Sequence, residues 1–552
     1  MDSVMTHPLM FGSSTVAGAA TFVILRGRDV RGDHAALSLT GACVAIYTVL
    51  RASPALSADP LYETLAIVSV YLLVASGITI VYRLCPWHPL AAYPGPTLAK
   101  VTSLWLSYIS FTGKRYQILD DLHAQYGPFL RIGPNHLSIN SPSAVSLYTN
   151  AEKSESYRFP GHNGAVALFF KQDTAEQHRN RRRIWSGLFT RTSIAGLIPQ
   201  LERRTWELVR CLEQRQAQST DGVVNLPEAM YHWSHDVMGD MVFGGCSAFE
   251  MMKNGDPEGA IYTAKTATAM MDSIGQSPWL LDILWHIPLT KKMHLFQDMA
   301  AQMMRDRVNS KDLPEYRDLA SYLIAAGIPQ RELETDAIVA IVGGADNTSI
   351  TVSLAIYFLL ANRQYYVRLR EELDKAFPDP MASMNMDELA ALPFLDGVLN
   401  ETLRLASPYF NPRLVPAGGV VISGRYIPEK TVVALAAHSQ QMSPDNFYPA
   451  PQDFRPERWQ PGGLGPGTVT NKTMLASFSY GPHYCIGKNL AYHQMRFALA
   501  RILLAFDIEF EEDFDVPGFR AGILNMRTMF LARELRVKVT RRPGVCFDKV
   551  VL

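Results

Sequence analysis

The chain has 552 residues, 48% of them hydrophobic, with 52 basic and 52 acidic side chains and a formal net charge of zero. That length suits one large domain with membrane segments, or three to four average domains. The charge balance leaves no compositional case for nucleic acid as a partner. Six scattered cysteines, Cys43, Cys85, Cys211, Cys246, Cys485 and Cys546, form no C-x-x-C pair, so nothing suggests a zinc site or a disulfide framework.

Residues 1–90 differ in kind from the rest. Uncharged, apolar runs cover residues 8–25, 35–50 and 64–82, with Arg26, Asp33, Arg51 and Arg83 at their borders. The third run is the best transmembrane candidate, because crossing a hydrocarbon core takes about 20 apolar residues; the second is marginal. Nothing basic precedes Arg26, which argues against a cleaved signal peptide. Arg26, Arg28 and Arg31 place the first loop in the cytosol, and one or three spans, not two, then return the chain there. We therefore read residues 1–90 as a membrane anchor and residues 91–552 as a single domain on the cytosolic side of the membrane.

Between them, Ala91-Ala92-Tyr93-Pro94-Gly95-Pro96 reads as a stiff, non-helical hinge. Helical periodicity runs through residues 194–215, 337–360, 366–376 and 489–506, and strand-like pieces are short, at 418–427, 431–436 and 529–539. The expected class is mainly α with small β-sheets, since the strand–helix alternation of a doubly wound fold is missing.

Phe478-Ser-Tyr-Gly481-Pro-His483-Tyr-Cys485-Ile-Gly487 stands just before the helix at 489. A cysteine at a helix start meets free N–H donors and the positive end of the dipole, which favours a thiolate. Gly481 and Gly487 remove side chains that would block the backbone's approach to the sulfur. Alone, a cysteine is most often a small buried hydrophobe. This segment, however, resembles the haem-binding loop of the cytochrome P-450 superfamily, F-x-x-G-x-R-x-C-x-G, with Phe478, Gly481, Cys485 and Gly487 matching. His483 departs from the arginine that the family pairs with a haem propionate, and histidine is a weaker, pH-dependent substitute.

The resemblance extends along the chain in order. Glu401-Thr-Leu-Arg404 puts a carboxylate and a guanidinium on one helix face, and E-x-x-R pairs are usually solvated surface. Together with Pro456-Glu457-Arg458 it resembles the family's buried structural cluster, which implies that Glu401, Arg404 and Arg458 support the cysteine loop. His178-Arg-Asn-Arg-Arg182 resembles the W-x-x-x-R helix, implying that His178 and Arg182 face the propionates, while Arg179, Arg181 and Arg183 read as a solvent-facing or reductase-docking surface. Arg413 resembles a further propionate contact.

On the oxygen side, the apolar stretch 337–345 contains Gly343-Gly344, each costing roughly 1 kcal/mol against alanine in a helix, so something requires the space. The family pattern A/G-G-x-D/E-T-T/S falls on Gly343-Gly344-Ala345-Asp346-Asn347-Thr348. Asp346 matches the acid. Asn347 replaces the alcohol, and Thr348 carries the only hydroxyl of that pair, one helical step away. An amide donates a hydrogen bond but relays protons poorly.

The resemblance implies haem b with Cys485 as the iron ligand, Asp346, Asn347 and Thr348 on the catalytic side, and oxygen insertion into an apolar small molecule, the thiolate favouring O–O cleavage. It implies electrons from NADPH through a separate cytochrome P-450 reductase, with cytochrome b5 as a second donor. The motif order and anchor look closest to fungal members of specialised metabolism. Two other readings stand beside it: a reductase-independent haem-thiolate isomerase or dehydratase, which Asn347 favours, and a non-catalytic haem-binding membrane protein. By the same resemblance, residues 270–274, Ala340, residues 407–414 and residues 522–524 line a mostly apolar substrate pocket.

Overall fold

The computed structural model describes residues 3–53, 57, 59–158, 166–246, 250–311, 315–406, 410–526 and 528–547. Three apolar helices lead the chain, Ser3–Leu25, Gly32–Ala52 and Pro60–Leu84. Asp59 caps the third by accepting the Tyr62 N–H at 3.1 Å, and Pro60 sits in the first turn, where its missing N–H costs nothing. The second and third are long and apolar enough to cross a membrane, and the first contributes a shorter apolar helix, Met10–Leu25. At 21 residues the second is more than the marginal run its hydropathy suggests, because it continues to both sides of residues 35–50. The first and third pack side by side in parallel: Ser14 Oγ donates to the Ile67 carbonyl at 2.6 Å, and Thr21 Oγ1 lies 3.1 Å from the Tyr71 hydroxyl.

Residues 93–96 are not a free hinge. The Pro94 carbonyl accepts the Arg131 N–H at 2.7 Å, a Cβ on Gly95 would overlap the Arg131 carbonyl, and the Tyr93 hydroxyl donates to Tyr426 O at 2.8 Å. The loop before the second apolar helix is also held to the large domain. Gly32 N donates to Asp282 Oδ2 at 3.0 Å, and Asp29 pairs with Arg158.

The large domain is helix-rich, as its periodicity predicts. The four expected helices appear as Arg191–Gln218, Gln330–Ala361, Arg363–Ala376 and Lys488–Ala505. Gln330–Ala361, hereafter the distal helix, would be long and apolar enough to span a bilayer, yet two-thirds of its apolar window is buried inside the protein, so it is a core helix. It packs on Leu226–Phe243 and on Lys488–Ala505, the proximal helix. The β-structure is marginal to this core. Phe129–Gly133, His136–Ile139, Val432–Leu435, Arg413–Leu414 and Glu152–Lys153 form a mixed five-stranded sheet in that order. Residues 418–427 fold as a hairpin of Val420–Ile422 with Arg425–Ile427, and the stretch 529–539 divides between Met529–Leu531 and Arg536–Arg541, which join different sheets.

Candidate active site

One cavity of about 360 Å³ lies between the distal helix and the cysteine loop. On its lower wall, residues 478–487 run through two short turns before the proximal helix begins at Lys488. Cys485 N donates to the Phe478 carbonyl at 2.8 Å, closing the loop, and the sulfur lines the cavity. Gly481 adopts φ +63°, and a Cβ there would overlap the Tyr148 carbonyl. Its need for glycine comes from that close approach and not from the sulfur. Only Gly487 borders the thiol, at 4.0 Å from its ideal Cβ position.

The helix start does not by itself produce a thiolate. Although Cys485 is exposed towards the cavity, desolvation by the surrounding loop pushes its thiol above the usual range, and the Gly487 N–H, Arg182 and Lys488 only partly oppose this. A metal ion would complete the ionisation, since a coordinating thiol is deprotonated outright.

Support for the loop is a fully buried ionic cluster. Arg404 donates from Nε and Nη2 to Glu401, both at 2.8 Å, and Arg458 Nε reaches Glu401 Oε1 at 2.9 Å. Trp459 Nε1 and the Arg455 N–H also donate to this carboxylate, at 2.9 and 3.0 Å. Arg404 Nη1 then ties down the carbonyls of Gln441 and Pro451, and Ser477 Oγ bonds the Leu403 carbonyl at 3.2 Å, joining the cluster's helix to the cysteine loop.

At one end of the cavity the cationic side chains converge. His178 and Arg182 come from the helix Ala175–Trp185, His483 from the cysteine loop and Lys153 from a short strand, whereas Arg413, on the strand paired with Lys153, does not itself line the cavity. Arg182 Nη1 donates to the Tyr484 carbonyl at 2.9 Å, while Arg182 Nη2 and Arg413 Nε are buried donors with no acceptor among the described residues. His483 Nδ1 lies 3.1 Å from His178 Nε2. Burial, then Lys153, depresses both imidazoles, His178 to about 4 and His483 to about 2. Orphaned cationic donors around a cavity that ends at a thiol fit a planar dianion such as haem, whose carboxylates would satisfy them. Arg181, read from sequence as solvent-facing, is instead buried in ion pairs with Asp336, at 2.7 Å, and Glu332; Arg179 and Arg183 are exposed.

Across the cavity the two glycines of the distal helix differ in purpose. A Cβ on Gly344 would overlap the Met238 thioether, whereas one on Gly343 meets nothing within 4 Å and would project into open space. Asn347 and Thr348 line the cavity, and Asp346 does not. Asn347 Oδ1 is a buried acceptor without a partner among the described residues, and Thr348 Oγ1 turns to Gln494 Oε1 at 3.4 Å. Burial raises the Asp346 carboxyl to about 7, against the pull of Lys265. The wall beyond Asn347 is apolar, including Phe169, Phe170, Met271, Phe296, Ile338 and Val342.

Of the expected pocket segments, Met271, Ala340, Phe410 and Asn411 line the cavity. Residues 407–409 lie outside the described residues. Residues 522–524 are not in the wall; Leu524 packs instead against Gly113, and Thr528 takes that place. Lys153, Phe169, Phe170, Phe296 and Gln494 carry no sequence signal and were found only through the fold.

The sequence profile of the cytochrome P-450 family matches residues 94–531. The chain belongs to the cytochrome P-450 family. It is 30% identical over 474 residues to a cytochrome P-450 monooxygenase of Aspergillus versicolor, covering 84% of each chain. It is 31% identical to one of Aspergillus oryzae, over 78% of this chain and 89% of the relative, and 30% identical to the tryprostatin B 6-hydroxylase of Aspergillus fumigatus, over 83% and 82%. Its relatives are fungal cytochrome P-450 monooxygenases of secondary metabolism, and the family implies haem.

Proposed function

We propose that this cytochrome P-450 inserts one oxygen atom of O2 into an apolar small molecule of fungal specialised metabolism, taking electrons from NADPH through a separate membrane reductase, with cytochrome b5 as a second donor. The observation that carries the reading is the cavity closed on one side by Cys485 and on the other by the open face of Gly343. A haem held there supplies the iron at which dioxygen is bound and reduced. Cys485 would hold the iron, and Arg182, Arg413 and the two histidines would face the propionates. The apolar wall excludes water and orients a hydrophobic substrate by shape.

Proton supply falls to the distal helix. Asp346, kept neutral up to about pH 7 by burial, holds a proton at its carboxyl one residue from the cavity. Asn347 offers an amide that can hold an oxygen ligand or orient a water but cannot exchange a proton as a hydroxyl does. We infer that a bound water or a substrate hydroxyl completes the relay. The relative named as a hydroxylase supports carbon hydroxylation as the outcome.

We further propose three spans in the endoplasmic reticulum membrane with the large domain on the cytosolic face. The docking of Gly32 on Asp282 and of Asp29 on Arg158 supports this, because it requires the first loop and the domain to share one side. Asn347 also favours a second reading, an isomerase or dehydratase acting on a peroxide without a reductase. Turnover of an apolar substrate by the purified chain, with and without NADPH and reductase, separates the two. Product only with both supports the monooxygenase, and product without either supports the isomerase.

A further inference from the structure

Arg115 and Asp272 belong to no recognised motif, yet they form a buried ion pair, with Arg115 Nη2 at 3.0 Å from Asp272 Oδ2. Each stands at the unfavourable end of its own helix. Arg115 opens the helix Arg115–Tyr126, where the dipole is positive, and Asp272 lies in the last turn of Ala260–Ser273, where it is negative. Local structure therefore disfavours both residues, and a buried ion pair is in itself weak support for stability. What the pair touches gives it a purpose.

The guanidinium is held by more than its anion. Arg115 Nη1 donates to Ser110 Oγ at 2.6 Å, and Arg115 Cζ lies 4.2 Å from the centroid of the Phe410 ring. Asp272 is steadied in turn by Gln276, whose Nε2 donates to the Asp272 carbonyl at 2.9 Å and lies 3.4 Å from Oδ1. Phe410 packs on the apolar cluster of Leu106, Ile109 and Leu119, and it also borders the cavity. Met271, beside Asp272, and Thr268, one turn before it, line the same cavity. A single ion pair thus joins two parts of the cavity wall that are distant in sequence.

We propose that Arg115 is a positioning residue for substrate specificity: clamped by Asp272, its guanidinium fixes the Phe410 ring in the cavity wall and so limits the bulk of the apolar group admitted beside it. The inference rests on the haem monooxygenase reading above and adds which part of the wall selects by shape. A cation over an aromatic face is worth most when both are withdrawn from water, as Arg115 is here. A ring held in this way excludes what a yielding ring would accommodate.

The test is optical titration of the full-length holoprotein with imidazole and with clotrimazole, which share the ring that meets the iron and differ in the bulk behind it. The variants are Arg115→Met, the double Arg115→Met with Asp272→Asn, and each of these combined with Phe410→Leu. Arg115→Met alone strands a buried carboxylate, so the double variant, which leaves no charge at the pair, serves where the single one does not fold. Loss of the guanidinium should tighten clotrimazole about fivefold relative to imidazole, because the ring then yields, and should change nothing further once Phe410 is leucine. A wild-type ratio in the folded double variant overturns the proposal. So does a changed ratio that persists with Phe410→Leu, since Arg115 then acts on the cavity by another route. A wild-type chain whose Soret band does not move with imidazole overturns the haem reading itself, a result distinct from any difference among the variants.

Discussion

Replacing Glu401 by glutamine removes one charge from the centre of the cluster behind the cysteine loop and nothing else in volume. The carboxylate accepts from Arg404 Nε and Nη2, Arg458 Nε, Trp459 Nε1 and the Arg455 N–H, all within 3.0 Å. A glutamine retains one acceptor oxygen and turns an NH2 towards donors, so at least one guanidinium contact becomes donor against donor. It also leaves two buried guanidinium ions, on Arg404 and Arg458, with no anion. Breaking a buried pair by removing one partner costs about 3–5 kcal/mol, or about two to four powers of ten in the folding equilibrium. Chemical denaturation followed in parallel by tryptophan fluorescence and by the Soret band should show a lower midpoint for Glu401→Gln. Haem loss should come at or before unfolding, because Ser477 joins this helix to the cysteine loop. A Glu401→Gln protein with an unchanged midpoint and full haem content would refute the claim that this cluster holds up the site.

Four further outcomes follow from the same geometry. Gly344→Ala should cost about 1–3 kcal/mol by overpacking against Met238, whereas Gly343→Ala should fold normally and bind apolar ligands more weakly in optical titrations, because its methyl enters the cavity. Asp346 contributes a pH dependence with a definite sign. Its native pKa, about 7, lies above the ordinary value of 3.8, so between about pH 4 and 7 the native state binds more protons than the unfolded one, and stability falls as pH rises; Asp346→Asn should flatten that slope in denaturation curves taken across the range. Asn347→Thr restores a relaying hydroxyl and should raise product formed per NADPH while lowering peroxide release, read by coupled oxygen and peroxide assays. In sealed microsomes, cysteines placed at Arg28 and Ala52 should differ, the first labelled by an impermeant maleimide from the cytosolic face and the second protected.

The parts of this molecule that were legible in the sequence are those whose signal is local. The distal and proximal helices declare themselves by apolar periodicity, and the cysteine loop by four residues within ten positions. Glu401 and Arg458 are 57 positions apart but each sits in a short recognisable segment, so their meeting could be expected. What was not legible depends on partners distant in sequence. Arg181 looks like one more surface arginine until Asp336, 155 positions on, arrives beside it. Lys153 acquires its position from strand pairing with Arg413, and no pattern around residue 153 announces it. The helix dipole that favours a thiolate at Cys485 is legible from position alone, whereas the desolvation that opposes it depends on how the folded loop surrounds the sulfur. Gly481 is required by the approach of the Tyr148 carbonyl and not by the sulfur, a contact that only the tertiary structure supplies.

The central claim is that Cys485 is the iron ligand. The difference spectrum of the dithionite-reduced, carbon monoxide-treated membranes tests it most directly when the intact chain is compared with Cys485→Ala. A strongly red-shifted Soret band in the intact chain, lost in the variant although that protein remains folded, is the predicted result. A red-shifted band of equal strength in Cys485→Ala, or none in intact protein shown to carry haem, would contradict the assignment and the function built on it.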